Sequence, residues 1–168
     1  YVRGLELGVD TIIAAIASGD SAALLVFTIY GSPNALAFVG DPENGSAGVP
    51  IGAAVLIYDD DGDVATRDSA TTENLALANG STLGRTTTRT ATGDVTLFDD
   101  LIVVAAGNQN LIATAGGLSA DTSAEFEISA AEPGALQFSP QPPRIAAGDT
   151  ISPALEVRVN DTYANQVL

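Results

Sequence analysis

Four aspartates crowd one glycine in the stretch Asp59-Asp60-Asp61-Gly62-Asp63. Carboxylates at this density can ligate a hard cation, form an acid and base pair, or turn the chain by accepting hydrogen bonds from their own backbone. Asp59, Asp61 and Asp63 stand at the first, third and fifth positions of a calcium-loop pattern, so calcium is the cofactor they could hold. The glycine of that pattern belongs at position six, whereas Gly62 falls at position four. Acid/base work needs a cleft that shifts one of two pKa values, and a hairpin tip is open to water. The main expectation is therefore a hairpin corner, with calcium binding as the alternative. The Asp99-Asp100 pair reads the same way, as a loop corner.

Composition narrows the chemistry further. The 168 residues include no histidine and no cysteine, which excludes Ser-His-Asp and Cys-His nucleophiles, disulfides and the usual zinc ligands. Only a hydrolase built from Asp and Glu alone would be compatible, and no enzyme activity is expected. Asp and Glu number 21 against 6 cationic residues, all arginine, for a net charge of -15. A field of that sign repels nucleic acid and anionic lipid, so neither is an expected partner. Acidity without lysine suits salty surroundings, where hydrated carboxylates keep a surface wet. Hydrophobic residues make up 46%, ample for a core. The longest apolar stretch, Thr11 to Ile29, is broken by Ser18-Gly19-Asp20-Ser21, so no membrane span is expected. The chain lacks a starting Met and a basic-then-apolar leader, which reads as a processed product or a fragment.

The chain also repeats itself. Ala35-Leu36-Ala37-Phe38 returns as Ala135-Leu136-Gln137-Phe138, and Ala47-Gly48 as Ala147-Gly148. With a two-residue gap, Val55-Leu56-Ile57-Tyr58-Asp59 matches Val157-Arg158-Val159-Asn160-Asp161, and Gly62-Asp63 matches Ala164-Asn165. Gly8 to Ala17 aligns with Gly107 to Gly116, and Phe27-Thr28-Ile29 with Phe126-Glu127-Ile128. Three segments follow: 1–31 as the closing strands of a first unit, 32–132 as a complete unit, and 133–168 as the opening strands of a third, with Ser32-Pro33 and Glu132-Pro133 as joints. The second copy keeps Asp161 in place of Asp59 but has Thr162 and Tyr163 in place of Asp60 and Asp61, which favours turn chemistry over ligation.

Each unit reads as all-β. Leu155 to Val159 and Glu125 to Ile128 alternate with period two, and Gly, Asn, Asp and Pro clusters bound such runs at sandwich spacing. Thr86 to Thr90 is a β-branched run suited to an edge or solvent-facing strand. An Ala-rich helix over Thr11 to Tyr30 is the alternative for the first segment. The succession Leu136-Gln137-Phe138, Pro142, Ala147-Gly148-Asp149-Thr150, Leu155-Glu156-Val157 and Asn160-Asp161 resembles bacterial Ig-like repeats that occur in tandem in large surface proteins and adhesins. Asp94-Val95-Thr96, Phe98, Asp100-Leu101 and Ala106-Gly107 carry the likeness through the middle of the chain. The resemblance implies Ig-like β-sandwiches in tandem, one complete unit flanked by two partial ones, located outside the cell or at its surface, with no catalytic residues.

Copies differ most on their outer faces. Glu156, Arg158 and Asn160 alternate away from the inward Leu155, Val157 and Val159, and their counterparts are Ala54, Leu56 and Tyr58. Glu125 is likewise answered by Val26. An apolar outer strand is a liability unless covered, so Val26, Leu56 and Tyr58 are expected at an interface with a neighbouring domain or another copy of the chain. Their alternative place is under a loop of their own domain. The expected function is a structural repeat of a surface filament, sheath or stalk that polymerises with copies of itself or neighbouring Ig-like domains. The alternatives are a ligand- or carbohydrate-binding adhesin module and a filament subunit that assembles by strand exchange.

Overall fold

The computed structural model describes the backbone of residues 10–14 and 23–27, and residues 31–65, 70–93 and 95–167 in full. No helix occurs among the described residues; the fold is all-β and sandwich-like. In the first segment, β1 (Asp10–Ala14) and β2 (Ala23–Phe27) pair antiparallel, from Asp10 opposite Phe27 to Ala14 opposite Ala23. Those ten positions are strand, not the Ala-rich helix that was the alternative.

The sandwich is built from β3 (Pro33–Phe38), β4 (Gly45–Ser46), β5 (Pro50–Asp59), β6 (Thr72–Leu77), β7 (Leu83–Gly84), β8 (Thr88–Thr90), β9 (Val95–Val103), β10 (Gly107–Gln109), β11 (Leu111–Ala115), β12 (Asp121–Thr122) and β13 (Phe126–Ser129). One sheet has the order β3-β5-β9-β7, a second β12-β11-β6-β8, and a third β10-β13-β4. Residues 72–77 show why they fold as a strand: Glu73, Leu75 and Leu77 are buried while Thr72, Asn74 and Ala76 face water, the period of a half-buried strand. Inner faces of all three sheets meet in one cluster that includes Leu36, Val55, Ile57, Leu75, Phe98, Leu101, Leu111, Phe126 and Ile128. Each such side chain contributes about 1.5–3 kcal/mol by leaving water. The rims of the two four-stranded sheets also meet, where Leu36 N–H donates to Ser119 O at 2.9 Å and Ser119 N–H to Asn34 O at 2.8 Å. Thr88–Thr90 is an edge strand, as the β-branched run suggests.

Asp99 and Asp100 correct one expectation. They lie inside β9 rather than at a loop corner, at a bulge where the pairing with β5 slips between Ile51 opposite Leu101 and Ala53 opposite Phe98. Arg89, above the Phe98 ring at 5.8 Å, holds both carboxylates, at 2.6 Å from Asp99 and 3.3 Å from Asp100. The Thr86 hydroxyl, donating to Asp100 at 2.7 Å, and Arg89 together outweigh desolvation and lower the Asp100 pKa.

Beyond the sandwich, β14 (Pro133–Phe138) and β15 (Val157–Asp161) form a two-stranded sheet. Its register duplicates that of β3 and β5. Pro133 faces Asp161 and, after a one-residue slip, Ala135 to Phe138 face Asn160 to Val157; Pro33 faces Asp59 and, after the same slip, Ala35 to Phe38 face Tyr58 to Val55.

Candidate functional site

The acidic corner after β5 is organised around one carboxylate. Asp59 Oδ1 accepts the N–H of Asp61 at 3.0 Å and of Asp63 at 2.9 Å, while Asp59 N–H donates to Asp63 O at 2.8 Å. Ala65 N–H closes the turn on Ile57 O at 2.8 Å, and Gly62 takes a φ of 88°. The corner after β15 is the same object. Asp161 Oδ1 accepts from Tyr163 at 2.8 Å and Asn165 at 2.9 Å, Asp161 N–H donates to Asn165 O at 2.9 Å, Val167 N–H reaches Val159 O at 2.8 Å, and Ala164 takes a φ of 67°. An aspartate that ties down the two N–H groups following it is turn chemistry. Of the alternative calcium ligands, Asp59 is buried at 4% exposure with its Oδ1 engaged in the turn, while Asp61 faces water. No group of three carboxylates suited to a metal occurs among the described residues.

The second corner does more than turn. Its outer oxygen, Asp161 Oδ2, accepts the N–H of Ala131 at 2.9 Å and the Asn165 side-chain amide at 2.8 Å. That amide also donates to Val104 O at 2.7 Å, and its Oδ1 accepts the N–H of Ala106 at 3.0 Å. One side chain thus pairs with a carbonyl and an N–H two residues apart, as a neighbouring strand would. The Tyr163 ring lies across Gly48, where a Cβ would overlap it; Gly48 has a φ of +81°, which a glycine adopts without strain. The corner is a plug, and Gly48, Val104, Ala106 and Ala131 are its socket at one end of the sandwich. Burial of Asp161 works to raise its pKa, but the hydrogen bonds from Asn165, Ala131 and Tyr163 prevail and hold the carboxyl below the usual aspartate range.

At the opposite end the first corner meets the chain that precedes β3. Ser32 N–H donates to Asp60 Oδ1 and Asp60 N–H to Ser32 O, both at 3.1 Å. Asp63 occupies the place of Asn165 and can accept hydrogen bonds but not donate them. The two corners therefore share a fold and differ in what they can grip.

Leu56 and Tyr58 lie together on the outer face of β5, half-buried, opposite Ala37 and Ala35 of β3, with Val95 beside Leu56 on β9. Leu97, 62% exposed, and Val39, 46% exposed, are the outward apolar residues nearby on β9 and after β3. Val26 is on β2, and its side chain lies outside the described residues. Sequence reasoning did not find the socket. Two signals pointed to it: the recurrence of Ala47-Gly48 as Ala147-Gly148 with both glycines at positive φ, and the survival of one aspartate when its neighbours change.

No protein-family model matches the chain, and no curated protein is similar to it. Among solved structures, one titled "Structure of surface layer protein SbsC, domains 4-9" is similar at 15% identity and a TM-score of 0.38, over 89% of this chain and 23% of that one.

Proposed function

We propose that the protein is a non-catalytic structural repeat of an extracellular or cell-surface filament, sheath or stalk, whose Ig-like units join end to end. The single observation that carries this reading is the plug of 161–165, seated in the socket of the sandwich, together with its duplicate at 59–63 on the sandwich's other end. A sandwich whose socket at one end takes the corner of the following unit makes a heterologous contact, and such contacts propagate in a line. Repeats joined this way transmit load through nearest-neighbour interfaces. The half-buried apolar band containing Leu56 and Tyr58 supplies lateral association between rods. The chain has no histidine or cysteine, and its densest carboxylates are committed to turns, which supports the non-catalytic reading.

Immunogold microscopy of the native cell tests the reading. Label running along filaments, a sheath or stalks supports it, and label confined to the cell interior refutes it. A ligand-binding adhesin is the second reading, favoured by an open cleft of about 520 Å³ beside Phe38, Val39, Pro50 and Leu97 with Asp41 and Glu43 on its rim. Label restricted to distal tips would point to that reading instead.

A further inference from the structure

The β14–β15 hairpin exposes a face that its twin buries. Leu136 is 74% exposed and Val157 52%, whereas the matching Leu36 and Val55 are 5% and 0% exposed in the sandwich core. Phe138 is 46% exposed, while Phe38 packs against that core. A two-stranded ribbon with apolar residues open to water is not stable by itself. The backbone edge is open as well at Val157: its counterpart Val55 is flanked by β3 and β9, whereas Val159 and Asp161 on the same edge already bond their own turn, through Val167 N–H to Val159 O and Asp161 N–H to Asn165 O.

The duplicated register says what covers this face. Val157 stands where Val55 does, and Val55 lies opposite Thr96 of β9; Arg158 stands where Leu56 does, opposite Val95. The structure assigns β14–β15 as a docking surface for a strand of β9 character, adding antiparallel to the free edge of β15 with alternate apolar side chains turned onto Leu136, Phe138 and Val157. The occupant is polypeptide bearing the same repeat as residues 67–132. In a folded second copy the β9 edge that matches β15 is already taken by β5 from Val95 to Ile102, so that copy would have to give up its own pairing to supply it. Main-chain pairing gives such an addition its affinity, and the alternating side chains give it its register. The inference rests on the tandem reading above.

Appending residues 67–132 after Leu168 continues the repeat in register, since Leu168 is equivalent to Thr66. In this extended chain, amide hydrogen exchange at Val157 should slow at least tenfold relative to the 168-residue chain and approach that of Val55. Val157→Asp should erase this gain in the extended chain while leaving the exchange of β5 and β9 in the 168-residue chain unchanged. Three results would overturn the assignment: Val157 exchange unaltered by the extension, a gain that survives Val157→Asp, or protection of Val157 in the unextended chain that rises with concentration, which would make a second copy the occupant. Failure here with Asn165 still protected in its socket leaves the end-to-end reading standing; loss of that socket contact as well refutes both.

Discussion

The side chain of Asn165 donates a hydrogen bond to the carbonyl of Val104, 61 residues earlier in the chain, at 2.7 Å. With the return bond from Ala106 N–H, that contact makes the link between the sandwich and the following hairpin a fixed joint rather than a free linker.

Replacing the amide with a carboxylate tests the joint. Asn165→Asp loses both donations, to Val104 and to Asp161, and sets a second carboxylate beside the first. A fully buried acceptor left without its donor costs about 1–3 kcal/mol, and the half-buried Val104 carbonyl should fall at the low end, about 1 kcal/mol. Hydrogen exchange at Ala106 and Ala131 should quicken accordingly, and small-angle scattering should show a broader range of shapes. Melting of the sandwich core should stay within about 0.5 kcal/mol of the parent.

Gly48→Ala attacks the same joint from the socket side. It places a Cβ in the Tyr163 ring at a residue with a φ of +81°, so two costs combine: about 1 kcal/mol or more from the backbone and further strain from the overlap. Adding Tyr163→Ala should recover the overlap part and leave the backbone part. A double-mutant cycle on joint stability reads the coupling, and full additivity would show that ring and glycine do not touch.

Acid should loosen the joint before it melts the core. The folded-state pKa of Asp161 is lowered, so the carboxylate's contribution is fully present above the ordinary aspartate value of about 3.9 and is lost as pH falls through the lower folded value. Exchange at Ala131 N–H, followed downward from pH 5, should show the release. Asp161→Asn should remove the pH dependence and weaken the joint at all pH values.

Equivalent positions should respond unequally. Leu36→Ala empties a fully packed site and should destabilise the sandwich by about 2–5 kcal/mol. Leu136→Ala, at the same register position of an open face, should change sandwich melting by less than about 0.5 kcal/mol. Denaturant titration of the two variants decides it.

Lateral association should depend on the outer face of β5. Leu56→Glu with Tyr58→Arg gives that strand the charged character that Arg158 lends its twin. Assembly measured by sedimentation should disappear while the circular dichroism spectrum is retained; an unchanged sedimentation profile would show that this face does not associate.

Much of the architecture is legible in the sequence. Period-two alternation in residues such as Thr72 to Leu77 makes strands, because a half-buried sheet sorts side chains by face. The internal repeat aligns Asp59 with Asp161, because an aspartate that ties down two following N–H groups is needed wherever that turn is made. The socket was not legible. Its working groups are the carbonyl of Val104, the N–H groups of Ala106 and Ala131 and the bare Cα of Gly48; three of these are main-chain groups that every residue type but proline carries, so side-chain identity does not mark them. The bulge at Asp99 and Asp100 was hidden for a related reason, since the neighbouring strand β5, not the local residues, decides where a ladder slips. The sequence by itself determined which segments become strands and which turns recur; which backbone groups the recurring turn would grip was decided only when folding brought residues 61 apart within hydrogen-bonding distance.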